Sequence, residues 1–241
     1  MAFIECRDLH FSYSEESGEV LHGVDLNIEK GSFVALLGHN GCGKSTMAKL
    51  FNGMLVPTSG TVTVDGHDVR TEPLACKKSI AYIPDNPDLY DFMTGIQYLN
   101  FVADIFGVSA ADRLARIRDY AGRFELTADL AQPIAAYSHG MKQKLAIISA
   151  WLHQPRLILM DEPFVGLDPK AAHLLKGMMR ELCDAGGAIF FSTHVLEVAE
   201  KLCDKVAIIK GGKLIRSGTM EDVKGDESLE SVFLELEEET C

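Results

Sequence analysis

The sequence predicts an α/β fold in which helices cover a mainly parallel sheet and a helical lobe is inserted into it. Three observations predict this. Short apolar runs alternate with helical periodicity at both ends of the chain. A glycine-rich segment, Gly38 to Thr46, stands between a buried-strand run and a helix. From about Pro87 to Leu152 the pattern is helical, too long a block for an ordinary connection.

Taken in order, Phe3 to Asp8 and Leu9 to Tyr13 read as two short strands, with Phe11 and Tyr13 on one face. Ser32 to Leu37 is a buried-strand run ending at Gly38, and the next helix starts near Lys44 and stops at Gly53. Pro57 to Gly60 is a turn before the alternating strand Thr61 to Val64. In the helical block, Ser109-Ala110-Ala111-Asp112 reads as a capping box, followed by an apolar stripe of Leu114, Ile117, Ala121 and Phe124. A second helix opens at Ser138 with Met141, Leu145, Ile148 and Leu152 on one face. Then come a strand at Leu157 to Met160, a helix from Pro169 to Ala185, a strand at Ala188 to Ser192 and a helix from Val195 to Cys203. Val206 to Ser217 reads as a hairpin turning at Gly211-Gly212, and Ser228 to Glu239 as a short acidic helix.

The 241 residues, 47% hydrophobic and 24% charged, suit one large globular domain with a lobe. A net charge of −12 argues against nucleic acid as a partner, because phosphate-backbone binding needs clustered Lys and Arg. Arg113, Arg116, Arg118 and Arg123 are interleaved with acids and read as the solvated face of a helix. The N-terminus has no basic stretch leading into an apolar run, so no signal peptide is expected. The longest apolar stretches, such as Leu145 to Leu152, fall short of the roughly 18 residues that span a bilayer. Six scattered cysteines, Cys241 the last of them, lack metal-type spacing and suit a reducing compartment.

Gly38-His39-Asn40-Gly41-Cys42-Gly43-Lys44-Ser45-Thr46 matches GxxxxGK(S/T) between a strand and a helix. Such a P-loop turns successive N–H groups toward a polyphosphate, brings Lys44 to its outer phosphates, and offers the Ser45 hydroxyl to Mg²⁺. A polyphosphate and Mg²⁺ are therefore the expected ligands, and the resemblance drawn below makes the polyphosphate ATP. A glycine-rich turn that binds nothing is the plainer alternative. At the end of the strand Leu157 to Met160 stand Asp161 and Glu162, where open α/β sheets place their ligands. Asp161 can hold Mg²⁺ through water, and Glu162 can polarise a water for attack on the γ-phosphate. A solvated acidic turn is the alternative there.

Between Lys44 and Asp161 lies Tyr137-Ser138-His139-Gly140-Met141-Lys142-Gln143, opening a helix. With the P-loop and the carboxylates, this order resembles the ABC ATPases, whose signature Ser-Gly-Gly-Gln occupies that place. Tyr13, Ile83-Pro84-Asp85, Gly166-Leu167-Asp168 and Ser192-Thr193-His194 fall where that family has its adenine-stacking aromatic, glutamine loop, dimer loop and switch histidine. The resemblance covers nearly the whole chain. It implies an α/β, P-loop NTPase core with a mainly parallel sheet, an N-terminal antiparallel β subdomain and an inserted α-helical lobe. The expected division is one domain over 1–241: core 1–86 and 153–225, lobe 87–152, acidic C-terminal helix 226–241.

The resemblance further implies a nucleotide set of Tyr13, Gly38, Asn40, Gly41, Cys42, Gly43, Lys44, Ser45, Thr46 and Asp85. Ser138, Gly140 and Asp168 would complete the site of a second ATPase subunit, the same chain or a different one. Glu162, His194 and Lys44 would be catalytic, and Ser45, Asp161 and Asp85 would meet the metal. The implied partner is a transmembrane permease on a separate chain, which ATP hydrolysis would drive from the cytoplasmic face of the cell membrane. Pro87 to Met93 would belong to its docking groove. Two departures stand out: His139 and Met141 where the signature has Gly and Gln, and the anionic Asp85 in place of the loop glutamine, as in some export-type branches. The rival readings are a soluble ABC-type ATPase of a cytosolic assembly machine and a non-catalytic ATP sensor.

Overall fold

The computed structural model describes residues 2–14, 16 and 18–238. The first strand, β1 (Ala2–Phe11), pairs antiparallel with β2 (Leu21–Glu29) and with β4 (Ser59–Val64), and β5 (His67–Asp68) completes this sheet in the order β2-β1-β4-β5. The second sheet has the order β10-β9-β3-β8-β7-β6. Its members are β3 (Phe33–Leu37), β6 (Ile80–Ile83), β7 (Leu157–Asp161), β8 (Ala188–Thr193), β9 (Lys205–Lys210) and β10 (Lys213–Thr219). Five of these strands run parallel, and β10 alone folds back antiparallel on β9.

Strand alternation places the larger sheet between two apolar layers. Phe33, Ala35 and Leu37 of β3 face one core with Ile158, Met160, Ile189 and Phe191, while Val34 and Leu36 face the other with Leu159 and Phe190. The first core takes in α5 (His139–Trp151), α6 (Pro169–Asp184) and α9 (Leu229–Glu238). The second lies over the antiparallel sheet and α1 (Lys44–Phe51). Between β6 and β7 come α3 (Gly95–Ile105), α4 (Ala110–Arg123), a 3-10 turn at Ile134–Ala136, and α5. Three shorter helices complete the set: α2 (Pro73–Ser79), α7 (Leu196–Leu202) and α8 (Met220–Lys224). Among the described residues no helix is long and apolar enough to cross a membrane.

Several sequence expectations need correction. The two strands expected before Tyr13 are one, β1, with a register shift where Asp8 takes φ +46. The bulge absorbs the residue that broke the alternation. Tyr13 lies beyond the strand and is exposed, although its ring meets Phe11 edge to face at 4.9 Å. β2 is a strand beyond those expected, and its buried Val24, Leu26 and Ile28 alternate with exposed Asp25, Asn27 and Glu29. Of the α4 stripe, Ile117 and Ala121 are buried, as is Phe124 just past its end, but Leu114 is exposed. Ser109 caps the Asp112 N–H at 3.1 Å and bonds the Asp112 carboxylate rather than closing a full box. The reciprocal box occurs instead at Thr94 and Gln97, opening α3. Arg113 and Arg116 are not simply solvated: Arg113 pairs with Asp104, and Arg116 donates to the Leu152 carbonyl at 2.6 Å. The β9–β10 turn falls at Gly211-Gly212 as expected, with φ +50 and +75. Glu239 and Cys241 lie outside the described residues.

Cys6, Cys76, Cys183 and Cys203 are buried free thiols, and burial pushes Cys6 up to about 12 and Cys183 up to about 11. Trp151, the single tryptophan, is buried at the end of α5. Phe191 is fully buried between Phe33 and Phe164, with ring centroids at 5.8 and 6.1 Å. Phe191→Ala is therefore expected to cost about 3–5 kcal/mol of unfolding free energy, measured by urea denaturation.

Candidate functional site

The chain leaves β3 at Gly38, where a Cβ would lie 2.4 Å from the Ile209 carbonyl oxygen and 2.6 Å from Cys42 Sγ. Only glycine fits. The loop then turns through Gly41 at φ +81 and Gly43 at φ +109, conformations that cost other residues steric strain. It delivers Lys44 to the first turn of α1, where the side chain folds back. Lys44 Nζ donates to the Gly38 carbonyl at 2.6 Å and the His39 carbonyl at 3.0 Å. At 7% exposure this cation has no carboxylate within ion-pair distance among the described residues. A buried ammonium held only by carbonyls is suited to receive an anion.

β7 and β8 bring the other half. Asp161 ends β7, accepting hydrogen bonds from the Ser45 hydroxyl and the Ser192 hydroxyl on separate oxygens. Glu162 follows at φ +46, a left-handed backbone that an ordinary turn would give to glycine. Its Oε1 pairs with His194 Nδ1 at 2.8 Å, and its Oε2 accepts from the Thr193 hydroxyl at 3.1 Å. The cleft between these elements holds about 350 Å³ and is lined by Tyr13, Val20, Asn40, Gly41, Gly43, Lys44, Ser45, Thr46, Asp85, Asp161 and Glu162. Tyr13 bonds through its hydroxyl to Thr46 Oγ1 at 2.9 Å. Tyr82 lies close by, and burial together with the charges of Asp161 and Asp85 pushes its phenol upward.

The structure thus gathers ten of the sequence-expected residues in one cleft. Gly38 and Cys42 support the loop from beneath without lining it, and His194 reaches it through Glu162. Ser138, Gly140 and Asp168 are elsewhere. Ser138 caps α5 through the Met141 N–H at 3.3 Å. A Cβ on Gly140 would lie 2.7 Å from the Gly166 carbonyl, and the His139 ring packs on Gly166 at φ +78, so the two segments form one surface. Asp168 caps α6 through the Ala171 N–H at 2.8 Å and pairs with Lys144 at 2.6 Å. Val20, Ser192 and Thr193 were not singled out as site residues. The two hydroxyls that end a fully buried strand were the available signal.

A model of the ABC transporter family matches residues 21–165. The chain belongs to the ABC transporter ATP-binding proteins. It is 34% identical over 89% of its length to the ABC transporter ATP-binding protein NatA of Bacillus subtilis (strain 168), 87% of which is covered. It is 32% identical over 99% of its length to the ABC-type transporter ATP-binding protein EcsA of the same organism, covering 98% of that protein. A solved ATP-binding subunit of an ABC transporter superposes with a TM-score of 0.93 at 35% identity, with 98% and 99% of the two chains covered. Membership in the family brings ATP as ligand and ATPase activity at the family level, and it implies a membrane subunit.

The ammonium of Lys144 and the Ala171 N–H hold the Asp168 carboxyl below the usual carboxylate range. Its capping contribution is therefore present above the unfolded-state value and is lost as pH falls through the folded one. In Lys144→Ala, a ¹³C titration of the Asp168 carboxyl should move back toward the ordinary range.

Proposed function

We propose that this chain hydrolyses ATP to power transport by a separate membrane subunit, working as one half of an ATP-closed dimer. The single observation that carries the reading is the arrangement around the cleft. Lys44 lies back on two loop carbonyls, while Ser45, Asp161 and Glu162 converge from α1 and β7. Lys44 and the loop N–H groups would take the phosphates, and Tyr13 the adenine.

Ser45 and Asp161 would hold Mg²⁺, with Asp85 at the same cleft to meet its water shell. Mg²⁺ supplies positive charge to the leaving phosphate. No cluster of three or more His, Cys, Asp or Glu side chains among the described residues forms a cage, which suits an ion bound by few protein oxygens and the phosphates themselves.

Glu162 is the proposed general base. Its two oxygens meet the His194 ring and the Thr193 hydroxyl, and release from His194 would free Oε1 to orient a water. Ser138, Gly140 and Asp168 line no part of the chain's own cleft, which fits donors that complete a facing subunit's site. Ser138 heads a 13-residue helix whose N-terminus favours an anion.

For the membrane partner, the supporting observation is an exposed aromatic group: Tyr90, Phe92 and Phe101 project together, with Tyr90 centroids 5.8 and 5.6 Å from the other two. Beside them a groove of about 380 Å³ runs past Met54, Tyr82, Tyr98, Val102 and Phe106. Apolar groups left in solvent at this density mark an interface. We propose peripheral attachment at the cytoplasmic face, and export as the direction, the latter by analogy on Asp85.

Glu162→Gln is expected to bind ATP normally, lose phosphate release by at least about a hundredfold and accumulate as an ATP-bound dimer on size exclusion. Unchanged turnover would remove Glu162 from this role. Lys44→Ala should lose ATP binding in calorimetry. Retained affinity would count against the loop assignment.

A further inference from the structure

The loop that carries Tyr13 leaves β1 after Phe11 and rejoins the fold at β2, its two stems held by the Val20 N–H donating to the Phe11 carbonyl at 2.7 Å. Across this base lies a chain of side chains that the ATP site does not use. Glu19 accepts from His10 Nδ1 on one oxygen at 2.7 Å and from His22 Nδ1 on the other at 2.8 Å. His10 Nε2 in turn faces Asp8 Oδ1 at 3.1 Å.

The chemistry of His10 is constrained by this geometry. Each ring nitrogen points at a carboxylate oxygen, and an ionised carboxylate only accepts hydrogen bonds. A neutral imidazole has one donor nitrogen, so it can satisfy one of these contacts and would set a lone pair against the other carboxylate. Both contacts close together only when the ring is an imidazolium.

The clasp is also tied to the nucleotide cleft. Val20, next to Glu19, lines that cleft. The His22 N–H donates to the Gly212 carbonyl at 3.0 Å, and the Gly212 N–H donates to the Cys42 carbonyl of the phosphate loop at 3.2 Å. Gly212 lies close against this base, since a Cβ there would lie 2.1 Å from the Val20 carbonyl oxygen. Tyr13 itself is fixed to Thr46 and braced on Phe11.

We propose that Glu19, gripped by His10 and His22, is a positioning residue for nucleotide binding, and that the clasp closes on the doubly protonated His10. The proposal rests on the reading of this cleft as the ATP site. The groups facing His10 are Asp8 from its own strand, Glu19 from the loop and, through Glu19, His22 from β2. Asp25 on β2 accepts the Asp8 N–H at 2.9 Å, and the glycine turn contributes backbone alone. The bonds to Glu19 and Asp8 raise the pKa of His10, and those to His10 and His22 lower that of Glu19. The clasp is therefore complete below the ordinary histidine value and opens as pH rises through the raised one.

The test measures binding of a non-hydrolysable ATP analogue by calorimetry across the histidine range, in the wild type and in Glu19→Gln, with the His10 ring followed by ¹⁵N NMR. The two profiles share the titration of the analogue's own phosphates, so their difference isolates the clasp. Glu19→Gln should weaken binding about twofold to fivefold at neutral pH, the size an exposed ion-pair cluster supplies, and this gap should close at high pH where the wild-type clasp has opened. The ¹⁵N signals of His10 should show both nitrogens protonated at neutral pH. Superimposable profiles, a gap independent of pH, or a neutral His10 ring would each overturn the proposal. A wild type that binds no analogue would instead overturn the ATP site and the positioning role with it, while the ¹⁵N titration would still report whether the clasp exists.

Discussion

The approach of Gly38 to the Ile209 carbonyl is the contact on which the site depends. β3 runs between β8 and β9, and the chain must reverse at once on leaving it, pressed against β9 with no space for a side chain. That closeness puts the loop carbonyls in reach of Lys44 and the first turn of α1 beside the end of β7. A wider turn would separate the Ser45 hydroxyl from Asp161. Packing against a strand edge, more than loop composition, therefore sets the dimensions of the cleft.

The parallel sheet contributes in a second way. Because β3, β7 and β8 run in one direction, their carboxyl ends open on one side of the molecule. Each supplies a different chemistry there: backbone donors after β3, carboxylates after β7, hydroxyls and an imidazole at the end of β8. Asp161, at 7% exposure, has both oxygens satisfied in a tight site by the Ser45 and Ser192 hydroxyls. Glu162 stands one residue further on in a strained backbone, turned toward Thr193 and His194.

Features of local origin were readable from the residues. The phosphate loop, the helix start at Ser138, the proline that opens the helix at Pro169, the glycine turn at Gly211-Gly212 and the periodic runs all show within a few positions, because sterics, capping and burial act over that range. Pairings between distant segments were not. Nothing near Lys144 announces Asp168, and nothing near Gly212 announces Cys42, since each depends on how elements pack after they form. Leu114 shows the same limit from the other side: it has helical spacing, but the face it occupies has nothing to cover it. The left-handed Glu162 was equally hidden, for its residue type argues against that conformation.

Trp151 carries a practical corollary. It is the sole indole of the chain, packed in the interior on the same rigid helix that Ser138 begins. Excited at wavelengths that the six tyrosines do not absorb, its emission therefore comes from one place. A tilt of that helix that changed the packing around the indole would register as a spectral shift in the unlabelled protein, giving an optical gauge at the far end of the helix from Ser138.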